Sequence, residues 1–189
     1  MEAFLVSTGI VALAEMGDKT QLLSLVLAAR YRRPFPIIVG ILAATLANHA
    51  LAGAVGTWVT RMAGPDLMRW ILGLSFLAMA FWTLIPDRLD DDDSASCRFG
   101  VFGTTLVAFF LAEMGDKTQV ATVALAAQFS AFIPVVAGTT LGMMIANVPA
   151  VLLGERVTRK VPIRTVHIVA AVLFAILGLM ALFNVGNLM

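Results

Sequence analysis

Hydrophobic residues fill six long stretches of this chain, and short polar segments separate them. The stretches cover about residues 3–29, 36–60, 68–85, 100–127, 133–154 and 164–185. A helix of roughly 20 apolar residues spans the hydrocarbon core of a bilayer, and each stretch is close to that length or longer. The pattern predicts an all-α membrane protein with six transmembrane helices.

The sequence also repeats itself after 98 residues. Residues 13–21 (LAEMGDKTQ) return unchanged as residues 111–119. Identities at the same offset continue through three stretches of each half, for example at Pro36 and Pro134, Gly56 and Gly154, and Phe76 and Phe174. We therefore predict an internal duplication, with one three-helix repeat in residues 1–85 and a second in residues 99–189. An odd number of crossings inverts the second repeat in the membrane relative to the first, an arrangement found in many secondary transporters.

The two halves are joined by residues 86–98 (PDRLDDDDSASCR), the one extended polar segment of the sequence. Its four successive aspartates, residues 90–93, repel one another and favour water, so we expect a solvated acidic linker. A cation-attracting or regulatory role of these aspartates is the alternative.

The distribution of basic residues predicts the orientation. The loops after stretches one, three and five hold nine lysines and arginines, whereas the opposite side holds Arg61 and Arg69 alone. The side with more basic residues is normally cytoplasmic. We therefore expect a cytoplasmic linker and both termini outside.

Composition agrees with a membrane protein and limits the other classes. The chain is 60% hydrophobic and 13% charged, with a mean hydropathy of +0.92, whereas soluble domains are about a quarter charged. The net charge of +1 gives no indication of a nucleic-acid partner. A cleaved signal peptide is not expected, because the first stretch lacks a basic start and contains two acids. Cys97 is the single cysteine, which rules out an intrachain disulfide and a cysteine zinc cluster.

Ionisable residues interrupt the first and fourth stretches close to their centres. The segment EMGDKTQ occupies residues 15–21 and again residues 113–119. An ionisable side chain at mid-bilayer costs at least ~2.5–3.5 kcal/mol, so such residues normally face protein or a water-filled cavity and mark function. On a continuous helix, Glu15, Asp18, Lys19 and Gln21 would fall around one side. Glycine at the centre of each copy lets another backbone approach, or lets the helix open.

Inverted repeats would bring the two copies face to face around one cavity. We predict that its metal ligands are Glu15, Asp18, Gln21, Glu113, Asp116 and Gln119. The accessory candidates are Lys19, Thr20, Asn48, Lys117, Thr118 and Asn147. Oxygen-rich sites without sulfur suit hard divalent cations such as Ca²⁺, Mn²⁺ or Mg²⁺. Four carboxylates and two ammonium groups sum to −2, which one divalent ion would neutralise.

Protons are expected to compete with the metal. Four acids confined together cannot all stay ionised once the ion leaves, so metal release should accompany proton uptake. That competition is the physical basis of metal/proton antiport. In the structural alternative, Glu15–Lys19 and Glu113–Lys117 pairs neutralise themselves as polar glue between helices, which leaves both aspartates without partners.

Two polar features near the motif allow more than one interpretation. Asn48 and Asn147 either add amide oxygens to the site or form interhelical hydrogen bonds. His49 is either a packed neutral imidazole or a ligand.

The doubled E-x-G-D-K-T motif, in stretches one and four of a six-span chain with an acidic linker, resembles the manganese/calcium cation transporter family. That family includes Golgi manganese and calcium transporters of eukaryotes and bacterial manganese exporters. The resemblance covers the whole chain. It implies export of Mn²⁺, or of Ca²⁺, from the cytosol in exchange for protons. It also implies functional acids at Glu15, Asp18, Glu113 and Asp116, and a bacterial protein of the plasma (inner) membrane.

Other function classes have less support in the sequence. A membrane-embedded enzyme using paired acids would need a phosphate cradle or further basic residues beside them. An exporter of organic cations or amino acids would need groups for a carboxylate as well as an amine, and a channel would not hold an ion this tightly. We therefore expect a transporter of metal ions and protons in the lipid bilayer, without a catalytic residue or cofactor, as a monomer or homodimer.

Overall fold

The computed structural model describes residues 1–63, 65–84, 100–153 and 163–183. Within these residues there are eight α-helices and no strand, which confirms the predicted all-α class. The helices are α1 (Glu2–Glu15), α2 (Lys19–Tyr31), α3 (Pro34–Met62), α4 (Pro65–Thr83), α5 (Gly100–Glu113), α6 (Lys117–Phe129), α7 (Phe132–Leu153) and α8 (Ile163–Leu182). The predicted linker, with Cys97 and the four aspartates, lies outside the described residues.

Three of the described helices are long and apolar enough to cross a membrane. They are α3, α7 and residues 164–182 of α8, and α5 is a shorter apolar helix. The first and fourth stretches are not the continuous helices that the sequence predicted. Each consists of two helices in succession, α1 with α2 and α5 with α6, because the backbone turns at the central glycine of the motif.

Corresponding helices of the two halves begin 98 residues apart. Helices α1 and α5 have 14 residues each, and α2 and α6 have 13 each. The next pairs, α3 with α7 and α4 with α8, also start at positions separated by this offset. The duplicated sequence therefore folds into helices of matching position.

The two halves interlock through equivalent contacts. Helix α1 packs along α7, and α5 packs along α3. A Cβ added at Gly138 would lie 2.5 Å from the Phe4 carbonyl oxygen, and one added at Gly40 would lie 3.0 Å from the Phe102 carbonyl oxygen. Both glycines thus allow a helix of one half to approach the backbone of the other half closely. Phe76 and Phe174, which correspond under the 98-residue offset, stack on each other with ring centroids 6.4 Å apart.

Polar residues are concentrated inside this bundle, while many large apolar residues are exposed outside it. Exposed apolar side chains include Leu5, Leu51, Phe81 and Leu111. Buried polar side chains include the acids of both motifs. This distribution is the reverse of a water-soluble domain and fits a bundle whose outer surface contacts lipid.

Candidate metal site

Each motif lies at the break between two helices. Helix α1 ends at Glu15 and α2 begins at Lys19, and the intervening Gly17 has a φ of 84°. In the second half Gly115 has a φ of 74°. Positive φ is accessible to glycine at little cost, which is why the chain can turn here in both copies. The break brings the C-terminal end of one helix and the N-terminal end of the next to the same place.

Each break is braced by the glutamine that closes its motif. Gln21 Oε1 accepts a hydrogen bond from the Gly17 N–H at 3.0 Å, and Gln119 Oε1 accepts one from the Gly115 N–H at 2.7 Å. Gln21 also donates to the Ala146 carbonyl oxygen of α7 at 2.9 Å. Both carboxamide oxygens, which the sequence placed among the metal ligands, are thus bonded to backbone in this conformation.

The two glutamates are fully buried and are each oriented by a threonine. Thr20 Oγ1 donates to Glu15 Oε2 at 2.7 Å, and Thr118 Oγ1 donates to Glu113 Oε2 at 3.0 Å. The other carboxylate oxygen of each glutamate, Oε1, is buried and has no hydrogen-bond partner within the described ranges. A buried polar atom normally has a partner, so these two carboxylate oxygens could accept a bond from a cation or carry a proton.

The aspartates form ion pairs across the two halves. Lys117 contacts Asp18, and both side chains are fully buried. Lys19 Nζ lies 3.6 Å from Asp116 Oδ1. Each aspartate occupies the N-cap position of the following helix without forming a side-chain cap hydrogen bond. The structural alternative drawn from the sequence left both aspartates without partners, whereas here each has a lysine from the other copy.

Three carboxylates from the two halves converge. Oxygen atoms of Glu15, Glu113 and Asp116 all lie within 4.8 Å of one another, and all three residues are buried. Asp116 Oδ2 is a further buried oxygen for which the described part of the chain supplies no hydrogen-bond partner. An ion at the centre of such a triangle would lie at most about 2.8 Å from each oxygen, close to the ~2.3–2.6 Å of Ca²⁺–oxygen bonds. The arrangement can bind a divalent cation after a contraction of a few tenths of an ångström.

The accessory asparagines take part in interhelical hydrogen bonds. Asn48 Nδ2 donates to the Phe110 carbonyl oxygen of α5 at 3.1 Å. The buried Asn48 Oδ1 has no hydrogen-bond partner in the described segments. The Asn147 Oδ1 accepts from Ser24 Oγ of α2 at 2.8 Å. Both ring nitrogens of the buried His49 lack a hydrogen-bond partner in the described part of the chain. The asparagines therefore connect the broken helices to α3 and α7.

Two contacts at the break were missed by the sequence reasoning. Ser24 was not singled out, although a hydroxyl recurs at its repeat position, Thr122, and was a usable signal. His167 Nε2 of α8 lies 2.7 Å from the Met16 carbonyl oxygen, which the end of α1 leaves outside the helix. No periodicity or repeat identity marked His167, because its repeat position holds Arg69.

Comparison with known proteins shows similarity along nearly the whole chain. The family described as divalent cation/proton antiporter GDT1 matches residues 3–91 and 101–187. A Vibrio cholerae protein named "Putative manganese exporter" is 52% identical over 184 residues, which cover 97% of this chain and 92% of that protein. "GDT1-like protein sll0615" of Synechocystis is 30% identical over 92% of this chain and 93% of its own length.

A more distant relative is the divalent cation/proton antiporter GDT1 of Saccharomyces cerevisiae. It is 24% identical over 239 aligned positions, which cover 97% of this chain and 84% of the yeast protein. No solved structure matches the chain. The family match extends over both halves and includes both copies of the motif. This chain belongs to the GDT1 family of divalent cation/proton antiporters, which are transporters and not enzymes.

Proposed function

We propose that this protein exports divalent cations from the cytoplasm in exchange for protons, with Mn²⁺ as its main substrate and Ca²⁺ as the alternative. The observation that carries the proposal is the buried group of Glu15, Glu113 and Asp116, whose oxygens lie within 4.8 Å of one another. Each of these residues has one oxygen without a hydrogen-bond partner among the residues that the structure describes. Because the group joins both halves, a bound ion would connect them.

The donor atoms support a hard divalent cation. The converging ligands are carboxylate oxygens, which suit Mg²⁺, Ca²⁺ and Mn²⁺ better than softer metals. Preference for Mn²⁺ is supported by the Vibrio relative, which carries the name of a manganese exporter at 52% identity. We propose Asp18 as the fourth acid of the site. The two glutamines support the breaks in the helices in this conformation.

Exchange for protons follows from the burial of the acids. Three carboxylates this close repel one another strongly where water is excluded, so they cannot all stay charged once the metal has left. Protons taken up on release would be given back when the next ion binds. Protons and metal would therefore use the same oxygens in turn, and no further cofactor is needed for the coupling.

The repeat architecture supports alternating access. We propose two inverted three-helix repeats, residues 1–85 and 99–189, with residues 86–98 as a cytoplasmic linker and both termini outside. The 98-residue spacing of the helices and the equivalent contacts of Gly40 and Gly138 support this arrangement. Broken helices around a central site are typical of inverted-repeat transporters.

The bacterial relatives support a cellular location, and the composition of the site supports an oligomeric state. We propose the plasma (inner) membrane of a bacterium as the location, in line with the bacterial relatives. A single chain supplies every acid of the site, so a monomer is sufficient for transport and a homodimer would hold two independent sites.

The decisive experiment measures Mn²⁺ flux in proteoliposomes under an imposed pH gradient, with the membrane voltage clamped by potassium and valinomycin. We expect protons moving inward to accelerate Mn²⁺ movement outward, and a protonophore to abolish that acceleration. Parallel assays with Ca²⁺ measure the preference between the ions. Apparent affinity for Mn²⁺ should weaken as the pH falls, because protons occupy the same oxygens. If the Mn²⁺ flux at fixed voltage does not change with the pH gradient, the antiport mechanism is wrong.

A further inference from the structure

The two lysines of the duplicated motif have the same sequence surroundings and different environments. Lys117 is fully buried and contacts Asp18, which is also fully buried. Lys19 is 26% exposed, and its Nζ lies 3.6 Å from Asp116 Oδ1. The Lys117–Asp18 pair is therefore closed, with its charged groups in contact, and the Lys19–Asp116 pair is loose, with its charged groups farther apart. The two nine-residue segments that contain these lysines are nevertheless identical.

The group of converging carboxylates reflects this difference. It contains Glu15 and Glu113 from both halves, but only one aspartate, Asp116. Asp116 is the aspartate whose lysine is loose. Asp18, which contacts the buried lysine, is not a member of the group. In this structure the aspartate that contacts the buried lysine lies outside the group, and the aspartate with the more distant lysine belongs to it.

We propose that Lys117 and Lys19 withhold one aspartate each from the metal, in turn, during the transport cycle. The proposal rests on the proposed function, because it takes the converging acids as the metal site. In the described conformation the ion would bind to Glu15, Glu113 and Asp116, while Lys117 holds Asp18 away. In the opposite conformation Lys19 would hold Asp116, and Asp18 would replace it beside the two glutamates.

The repeat relation gives the physical reason for the exchange. In a transporter built from inverted repeats, the second conformation arises when each repeat adopts the arrangement that the other had in the first. Applied to the two ion pairs, this exchange closes the Lys19–Asp116 pair and loosens the Lys117–Asp18 pair. Three carboxylates then face the ion on either side of the membrane, and the set always contains both glutamates.

A tethered ammonium group also explains how the ion leaves. A site with four free carboxylates would hold a divalent cation very tightly, which would slow release. An ammonium group that stays close to one aspartate competes with the metal ion for that carboxylate. It therefore limits the affinity of the site for the metal ion. Lysine is suited to this role because its single charged group lies on a flexible four-carbon chain.

The test is the Mn²⁺ affinity of purified protein in nanodiscs, measured by titration calorimetry at constant pH and ionic strength. Lys117→Gln releases Asp18, and we expect it to tighten the Kd for Mn²⁺ at least about tenfold and to slow turnover in proteoliposomes. Lys117→Arg keeps the positive charge and is expected to show no comparable tightening. Each variant must elute from a sizing column as a single folded species before its Kd is compared with that of wild type.

A double-mutant cycle separates this proposal from a general effect of removing a positive charge. In an Asp18→Asn background, Lys117→Gln should give no tightening, because the withheld carboxylate is gone. In the matched Asp116→Asn background, the tightening should persist. If Lys117→Gln does not fold, Lys19→Gln provides the test. The tightening of the Kd by Lys19→Gln should then disappear in the Asp116→Asn background and persist in the Asp18→Asn background.

Each outcome has a definite meaning. Equal tightening in both aspartate backgrounds, or no tightening in a protein that binds Mn²⁺ as wild type, overturns the lysine exchange and leaves the proposed transport intact. Wild-type protein that binds no Mn²⁺ at all overturns the proposed function itself. Loss of the tightening in the Asp18→Asn background alone supports the exchange.

Discussion

Neutralising Glu113 is the most direct test of the metal site. The Glu113→Gln substitution keeps the size of the side chain and one carbonyl-type oxygen, so the hydrogen bond from Thr118 Oγ1 to Oε2 has an acceptor of similar shape. It removes the charge of a buried carboxylate that has one oxygen within 4.8 Å of oxygens of Glu15 and Asp116. One oxygen of this carboxylate, Oε1, has no hydrogen-bond partner among the described residues. The variant therefore changes the electrostatics of the site with little change in packing.

The expected loss of affinity follows from the burial of the acids. Removing one partner from a buried ionic group costs about 3–5 kcal/mol, which corresponds to roughly 150- to 5,000-fold weaker Mn²⁺ binding. The effect on the metal-free protein should be the opposite. With no cation bound, the substitution relieves repulsion among three crowded acids, so the melting temperature of metal-free protein should be equal to or higher than that of wild type.

Two measurements check this prediction. Calorimetric titration gives the Kd for Mn²⁺, and thermal unfolding with and without Mn²⁺ gives the stabilisation by the ion, which should disappear in the variant. Asp66→Asn is the matched control, because it removes the same charge from an exposed position in the first turn of α4. A Glu113→Gln protein that binds Mn²⁺ as tightly as the Asp66→Asn control would refute the assignment of Glu113 as a ligand.

The remaining predictions concern the support of the acids and the orientation of the chain. Thr118→Val removes the hydroxyl that orients Glu113. Because a hydrogen bond to a charged group contributes about 1.5–3 kcal/mol, the affinity for Mn²⁺ should fall roughly tenfold or more. Thr57→Val, which removes a hydroxyl bonded to the Gly53 and Ala54 carbonyls, should leave the affinity unchanged, and equal losses in both variants would contradict a specific role of Thr118. A membrane-impermeant thiol reagent should label Cys97 in inverted vesicles and not in intact spheroplasts, with Cys97→Ser as the unlabelled control. Labelling from outside would reverse the proposed orientation.

The sequence predicted the parts of the structure that depend on repetition and on polarity. The 98-residue offset predicted matching helices, and the structure has them at the same spacing. The position of Glu15 and Glu113 in apolar stretches predicted that both would be buried together, which the structure also shows. These features can be read from one sequence because burial of a charge in an apolar segment leaves few alternatives.

The local geometry of the motif could not be predicted in the same way. Projecting residues 15–21 onto a continuous helix was wrong, because Gly17 adopts a positive φ and ends the helical periodicity. A glycine in an apolar run does not reveal whether its backbone is helical. The ion-pair partner of each lysine could not be predicted from the sequence either. Spacing suggested the glutamate four residues earlier, whereas each lysine meets an aspartate of the other half.

The two copies of the motif show how far local sequence determines a functional site. Their residues are identical, yet Lys117 is buried where Lys19 is partly exposed, and Met114 is 56% exposed where Met16 is half-buried. Identical segments can lie in different environments within one asymmetric conformation, and residues around them that differ between the halves can favour one such conformation over the other. The Met16 carbonyl contacts His167, whereas the corresponding position of the first half holds Arg69. In the inverted-repeat transporter that we propose, the matching motifs would allow either half to form the site. The unmatched surroundings would let the two conformations differ in energy, so that one of them would be more populated in the absence of ion gradients.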